Sequence, residues 1–335
     1  KKYTNMGQTL SEPVTSKESA YCQNEMYRVG SSCMQGWRIN MEDSHTHILS
    51  LPDDPGTSFF AVYDGHGGAT VAQYAGKHLH KFILKRPEYK ENMEEALKQA
   101  FLDIDYEMLY NESWGEQMAG STAVVVLIKD NRLYCANAGD SRAVACVNGE
   151  VMTLSMDHKP NNEAESKRIN EGGGWVEFNR VNGNLALSRA LGDFVFKRNE
   201  NKKPEEQIVT AYPDVETRKI NEDWEFLVLA CDGIWDVMSN QEVIDFCRSR
   251  IGQGMYPEEI CEELMTHCLA PDCQMGGLGG DNMTVVLVCF LHNKPYADLV
   301  QKCATSTVSA NTNTSLPATQ TSTTSSPEEE EIDLK

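Results

Sequence analysis

The 335-residue sequence has no C-x-x-C pair, no apolar run long enough to cross a bilayer and no surplus of positive charge. Its 11 cysteines are odd in number and scattered from Cys22 to Cys303, with Cys268-x4-Cys273 the nearest approach to a pair. Structural zinc wants closely paired thiolates, and a secreted disulfide framework usually has an even count in a short chain. Reduced, mostly buried thiols and an intracellular address are therefore expected. A membrane-spanning helix needs roughly 18–20 consecutive apolar residues, and no stretch here approaches that. Lys and Arg number 30 against 50 Asp and Glu, a net charge of −20. Binding to a nucleic-acid backbone relies on clustered positive charge, so no nucleic-acid partner is expected. The phosphate loop G-x-x-x-x-G-K-[ST] and the calcium loop D-x-[DN]-x-[DN]-G-x5-E are both missing, which removes the commonest nucleotide-dependent readings and the helix-loop-helix calcium sensor.

What is present is a chain with 40% hydrophobic and 24% charged residues, enough to bury a sizeable core. Its two ends differ from the middle. Met6-Gly7-Gln8-Thr9-Leu10-Ser11 fits the N-myristoylation pattern, so a lipid anchor and membrane association follow if Met6 is the initiator, the alternative being a chance match to a loose pattern. Otherwise the expected location is the cytoplasm and nucleus. From Ala304 onward the residues are almost all Thr, Ser, Ala and Asn, ending in Glu328-Glu329-Glu330-Glu331. Such a segment cannot bury enough apolar area to offset its ordering entropy and reads as a disordered acidic tail. It carries only −4 of the charge, leaving −16 on residues 1–303. The expected organisation is an N-terminal segment over 1–21, a catalytic domain over 22–303 and a tail over 304–335.

Inside the domain, apolar β-branched runs at Phe59–Tyr63, Thr122–Ile128, Leu133–Ala138, Arg142–Val147, Phe226–Cys231 and Met283–Phe290 read as strands. The third and fourth flank Gly139-Asp140-Ser141 and predict an antiparallel hairpin. Helical spacing runs through Val71, Tyr74, Ala75, His78, Leu79 and Phe82, and again from Met93 to Ile104. Ser239-Asn240-Gln241-Glu242 is a capping box that opens another helix. Strands and helices in this mixture indicate an α+β domain with antiparallel sheets covered by helices.

Three strand runs carry a carboxylate at the lip of a buried segment. Phe59–Tyr63 ends in Asp64-Gly65-His66-Gly67-Gly68, Phe226–Cys231 ends in Asp232-Gly233-Ile234-Trp235-Asp236, and Gly280-Asp281-Asn282 precedes Met283. One Asp-Gly is ordinarily a turn. Three at strand ends, with Glu42-Asp43 near the N-terminus, form a pattern that turn chemistry does not require. Clustered carboxylates repel and stay protonated in a low dielectric unless cations neutralise them. Hard oxygen donors without interleaved Cys or His suit Mg²⁺ or Mn²⁺ rather than zinc.

These stretches, with Gly36-Trp37-Arg38-Ile39-Asn40-Met41-Glu42-Asp43, Gly120-Ser121-Thr122-Ala123, Asn137-Ala138-Gly139-Asp140-Ser141-Arg142, Asp157-His158-Lys159-Pro160 and Leu187-Ser188-Arg189-Ala190-Leu191-Gly192-Asp193, resemble the ordered motifs of the metal-dependent protein phosphatases of type 2C. The series runs in order from about Tyr27 to Phe290. The resemblance implies a four-layer α-β-β-α sandwich, two antiparallel sheets packed face to face with helices outside. It implies a centre of two Mg²⁺ or Mn²⁺ ions, with Asp64 bridging both and the Gly65 carbonyl on one. Asp232 and Asp281 would hold the other, while Glu42 and Asp43 act through bound water. Asp157 and Asp236, with Asp232, match a weaker third position. Arg38 matches the residue that grips the substrate phosphate and His66 the general acid, with His158 as the rival acid. The implied reaction is direct attack on phosphoserine or phosphothreonine by a metal-bridging hydroxide, without a phosphoenzyme, and the implied partners are phosphoproteins met by a monomer. The region from Gly172 to about Lys203 matches a flap beside the active site. Asp140 and Asp193 read as turn residues. The competing readings are a catalytically weak pseudophosphatase scaffold and another two-metal phosphoester hydrolase.

Overall fold

The computed structural model describes residues 9–111, 114, 118–272 and 277–310, the last five without their side chains. The Met6-Gly7 motif, Cys273 and the acidic run at 328–331 lie outside the described residues. In chain order the strands are β1 (Thr9–Gln23), β2 (Tyr27–Arg38), β3 (Ser44–Ile48), β4 (Thr57–Tyr63), β5 (Gly65–His66), β6 (Gly120–Ser121), β7 (Ala123–Lys129), β8 (Arg132–Ala138), β9 (Arg142–Val147) and β10 (Glu150–Thr153). They continue with β11 (Val176–Glu177), β12 (Arg180–Val181), β13 (Leu191–Gly192), β14 (Asp214–Lys219), β15 (Trp224–Ala230) and β16 (Met283–Phe290). The helices are α1 (Thr70–Lys85), α2 (Met93–Tyr110), α3 (Glu163–Glu171), α4 (Asp232–Trp235), α5 (Asn240–Gly252), α6 (Pro257–Cys268) and α7 (Tyr296–Ala310).

Two antiparallel sheets organise the chain, a six-stranded one in the order β1-β2-β16-β15-β9-β10 and a five-stranded one in the order β14-β8-β7-β4-β3. The central strands are apolar without alternation because both of their faces are covered. In β16, Met283, Val285, Leu287 and Cys289 join the core beneath α5 and α6. The intervening Val286, Val288 and Phe290 enter a different core together with Phe60 and Val62 of β4 and Val124 and Val126 of β7. Residues from both sheets thus share one apolar cluster. On the far side of the five-stranded sheet, Phe59, Ala61 and Tyr63 pack with Leu79 and Ile83 of α1 and Leu97 and Phe101 of α2. Full burial of each such side chain contributes roughly 1.5–3 kcal/mol before entropy is counted. The α+β class expected from the pattern is the observed one.

Local signals hold at the helix starts. Ser239 caps α5 reciprocally with Glu242, and the Asn92 side chain accepts from Glu95 N at the start of α2. The expected hairpin at Gly139-Asp140-Ser141 is not formed. β8 pairs with β7 and β14 while β9 pairs with β15 and β10, so the three-residue link carries the chain from one sheet to the other. Both strands have the same apolar character, and a short link permits either outcome; the free edges of the two sheets decide it. The 21/22 and 303/304 boundaries also fall inside elements. β1 is antiparallel to β2 from Thr9, opposite Arg38, to Gln23, opposite Arg28, and α7 runs through to Ala310.

His45 and His47 of β3 stack with ring centroids 5.9 Å apart, and His45 Nε2 lies 3.1 Å from Ser31 Oγ of β2. Burial, then the neighbouring His47, pushes the His45 pKa down to about 4. The unfolded chain therefore takes up this proton first, at about 6.5, and stability falls as pH drops from there through the folded value. On linkage the loss amounts to about 3 kcal/mol across that window. Urea unfolding at several pH values should show a shallower acid-side slope for His45→Gln than for the native chain; parallel slopes would remove this source of acid sensitivity.

Candidate metal and phosphate site

Antiparallel pairing sets Met34 of β2 opposite Met283, and Ala230 of β15 opposite Val285. The end of β2, the start of β16 and the end of β15 consequently meet at one edge, where Arg38, Asp281 and Asp232 stand. Asp64 arrives from the other sheet at the end of β4. Its backbone N donates to Thr122 Oγ1 (3.1 Å), and that hydroxyl lies 2.6 Å from Ser141 Oγ. The next residue must be glycine, because a Cβ on Gly65 would fall 2.2 Å from the Glu42 carbonyl oxygen.

Burial, then the charges of Asp232, Asp43, Asp281 and Asp140, raises the Asp64 pKa well above the usual carboxylate range. Asp232 is raised likewise, first by burial and then by Asp140, Asp281 and Asp236. Asp43 is raised by burial against a 2.7 Å hydrogen bond from Thr284 Oγ1 to its Oδ2. Its Oδ1 is buried and has no hydrogen-bond partner. Asp236, one turn beyond Asp232, is raised mainly by burial.

A buried set of oxygen donors that repel one another, one of them orphaned, is chemically suited to hard divalent cations. As the side chains stand, no group of three or more Asp, Glu, His or Cys among the described residues is placed to hold an ion. The protein's own cations lie among the carboxylates instead. Arg38 Nη2 donates to Asp281 Oδ2, Lys159 Nζ to Asp140 Oδ2, and Arg142 holds both oxygens of Asp157 at 2.9 and 2.8 Å.

The expected residues divide on this basis. Asp43, Asp64, Asp232, Asp236 and Asp281 act on one another electrostatically, and Glu42 lies beside them with its backbone N on Asn282 Oδ1 at 2.9 Å. Asp157 is occupied by Arg142 and bears on Asp140 and Asp236 from outside. His66 Nε2 lies 2.7 Å from Asp193 Oδ2. Burial opposes a charge on this imidazole, but Asp193, with smaller help from Asp140 and Glu42, raises its pKa. A Cβ on Gly120 would sit 2.2 Å from Asp193 Oδ2 and 2.4 Å from His66 Nε2, so the pair occupies space that only a glycine leaves open. His158, the rival acid, is buried; its Nδ1 accepts from Gly139 N at 3.2 Å and its Nε2 lies 3.1 Å from Asp214 Oδ2.

Sequence reasoning missed three residues here. Asp140 is a buried carboxylate acting on Asp64 and Asp232, not a hairpin turn. Asp193 adopts a left-handed backbone (φ 50°) and partners His66. Asn282 Nδ2 donates to the Gln35 and Asn40 carbonyls at 2.8 and 3.0 Å, stapling the β16 approach to the loop after β2. For Asp140 the signal was its Gly-Asp-Ser setting between two buried strands; the other two close motifs that the sequence shows, but nothing local gave their partners.

Carboxylates gathered at strand ends beside an arginine and a paired histidine are chemically suited to a hydrolase that handles phosphate. The sequence profile described as protein phosphatase 2C matches residues 27–275, and the chain belongs to that family; it is a protein-serine/threonine phosphatase. It is 64% identical over 300 residues to a probable protein phosphatase 2C of Caenorhabditis elegans, covering 89% of this chain and 84% of that one. It is 52% identical over 304 residues to protein phosphatase 2C homolog 3 of Schizosaccharomyces pombe, covering 89% and 73%. Among solved structures, a phosphatase from a pathogenic strain of Toxoplasma gondii is similar with TM-score 0.71 and 30% identity, covering 83% of this chain and 96% of that one. Membership in the family implies dependence on a divalent metal.

Replacing Asn282 by Ala would leave two carbonyls and one N–H unpartnered at the half-buried foot of the site. At about 1–3 kcal/mol for a buried unsatisfied group, the expected loss is roughly 2–4 kcal/mol in urea unfolding. Asn282→Asp should fare no better, since it offers oxygen to both carbonyls. A loss below about 0.5 kcal/mol would mean the staple carries no strain-bearing role.

Proposed function

We propose that the chain hydrolyses phosphoserine and phosphothreonine on proteins by direct attack of water on phosphorus, at a centre of two Mg²⁺ or Mn²⁺ ions with a weaker third. Asp64, the Gly65 carbonyl, Asp232 and Asp281 would hold the pair, with Glu42 and Asp43 acting through water and Asp236 and Asp157 near the third. The observation that carries this reading is the mutual repulsion of buried carboxylates around Asp64, which calls for divalent charge. When bound, such ions neutralise the carboxylates and lower the pKa of water toward ~7.

The chain's own residues supply the rest. Arg38 presents planar paired donors that match phosphate oxygens, and it reaches them from the same edge as Asp281. His66 holds a proton favoured by Asp193, and with Nε2 engaged there, Nδ1 is the nitrogen left to protonate the departing alkoxide. Absence of a phosphoenzyme formed on a thiol is supported by Cys231, which adjoins Asp232 in the chain. Burial, then Asp43, Asp64 and Asp232, pushes its pKa well above the ordinary range, which makes it a poor nucleophile. The same reading takes the two sheets and their flanking helices as the four-layer sandwich. It places a monomeric enzyme in the cytoplasm and nucleus, with a lipid anchor at Gly7 if Met6 initiates translation. Among the described residues no helix is long and apolar enough to cross a membrane.

Phosphate release from a phosphothreonine peptide should require Mn²⁺ and stop with EDTA. Asp232→Asn should abolish both turnover and the rise in melting temperature that Mn²⁺ gives the native chain, about 2.7 kcal/mol of stabilisation at a hundredfold excess over Kd. Asp193→Asn should lower kcat by about 10²-fold with little change in KM, the range expected for loss of a general acid. Metal-independent turnover, or full activity of Asp232→Asn, would overturn the assignment of the centre.

A further inference from the structure

Phe178 is 90% exposed, the largest value for a big apolar side chain among the described residues. It stands first in the two-residue link between β11 and β12, which are paired through Glu177 and Arg180. Phe178 and Asn179 both have left-handed backbones, φ 51° and 56°. Such a turn favours Asn, Asp or Gly at both positions, because a Cβ crowds the following carbonyl. Asn179 conforms to the rule and Phe178 breaks it. The residue thus carries two unfavourable features at once, a strained backbone and an aromatic ring left in water, and it belongs to none of the apolar clusters.

The hairpin that presents the ring is firmly seated. Val181 packs with Ile169 of α3, Ala190 and Val209 in a small core of its own. Below it, Glu165 takes both Arg168 and Arg189 at 2.7 Å. At the tip, Asn179 Oδ1 accepts from Asn161 N at 3.1 Å. Asn161 is two residues beyond Lys159, which holds Asp140, and four beyond Asp157. The tip that bears the ring is therefore tied to the loop that carries Asp157 and Lys159. The exposed Met156 (73%) adjoins Asp157 on the same loop.

Charge points to what comes against it. Residues 172–203 carry six cations and three anions in a chain of net charge −20; Arg189 and Lys197 are paired with Glu165 and Asp105, while Arg180, Arg198 and Lys203 are exposed with Glu177 and Glu200. An acidic, phosphorylated segment meets a slight excess of exposed positive charge on this flank, against the negative balance of the whole chain.

We propose that Phe178 is a specificity-determining contact that receives a large apolar side chain of the phosphoprotein substrate, a few residues from the phosphorylated one and in an acidic context. The proposal rests on the phosphatase reading and deepens it. The ring needs no contact with the reacting atoms; it selects which phosphorylated segments dwell at the site.

The test uses the full chain with Mn²⁺ and phosphothreonine peptides of constant acidic charge. Leucine is placed in turn at each position from two to six residues on either side of the phosphothreonine and compared with an all-alanine control. For the native chain, at least one leucine position should raise kcat/KM by about five- to tenfold, carried by KM, as expected for partial burial of one apolar side chain. Phe178→Asn, which suits the left-handed turn and should fold at least as well, should erase that gain, and Phe178→Tyr should keep it. Finding no favoured position, or an equal gain in Phe178→Asn, would overturn the proposal. An equal loss of p-nitrophenyl phosphate turnover in Phe178→Asn would overturn it too, because the ring would then act through the fold. So would a dimer in light scattering that only Phe178→Asn disperses, which would make a second copy the occupant. Failure of the native chain to hydrolyse p-nitrophenyl phosphate with Mn²⁺ would instead defeat the underlying phosphatase reading, and is distinguishable on that basis.

Discussion

Repulsion among buried carboxylates is the constraint around which this molecule is arranged. Asp43, Asp140, Asp232, Asp236 and Asp281 each disfavour ionisation of another carboxylate in the cluster, and four of them bear on Asp64 at its centre. Left to themselves, such groups would separate or draw in water. What holds them is the packing behind them: β4, β15 and β16 are buried along their whole length, on both faces. Their ends cannot move apart without opening apolar cores. Arg38, Lys159 and Arg142 moderate the repulsion from the rim. The arrangement is a site whose strain is borne by the sheets and whose relief comes from cations.

Labour is divided between elements accordingly. Strand ends deliver the carboxylates, where backbone position is fixed by ladder hydrogen bonds on either side. The groups proposed to meet the substrate lie apart from these long strands: Arg38 at the close of β2, His66 in the two-residue β5, and the flap on the segment between α3 and β14. The flap is not loose for all that. Its four-residue apolar core and the Glu165–Arg168–Arg189 pairs are largely buried, and a buried, hydrogen-bonded charge network fixes geometry more than it adds stability. The opposite end of the fold uses the same device: Arg248 and Glu225 pair in the interior, and Arg248 also donates to the Cys303 carbonyl, pinning α7.

Much of this could be read from the sequence because the strands are buried on both faces and so appear as unbroken apolar runs. The ordered motifs then gave the family in one step, and with it the aspartates that the fold brings together at one edge. What escaped depended on partners distant in sequence. Gly139-Asp140-Ser141 reads as a hairpin link, and only the competition of β7, β14, β15 and β10 for strand edges turns it into a crossing that drives Asp140 into the centre. Asp193 lies 127 residues from His66, and Asn282 lies 240 from the Glu42 amide it accepts from. No periodicity or capping rule spans such separations. The strand in the N-terminal segment was hidden for a related reason: β1 is mostly exposed and polar, so its strand character comes from pairing with β2 rather than from its own composition.

A net charge of −20 and an anionic substrate look contradictory until distance is considered. At physiological ionic strength exposed charges are screened beyond about 8 Å, so an approaching phosphorylated segment responds chiefly to the groups it passes. On the proposed reading, those over its last few ångströms include Arg38 and the flap. Inside the site the carboxylates reverse the sign again, and divalent cations would reverse it once more. Local charge governs capture, while the acidic body disfavours the larger polyanions that a uniformly basic surface would collect. The same balance accounts for the short reach of the basic elements. Extending them across the surface would widen what the enzyme binds without improving how the phosphate is held.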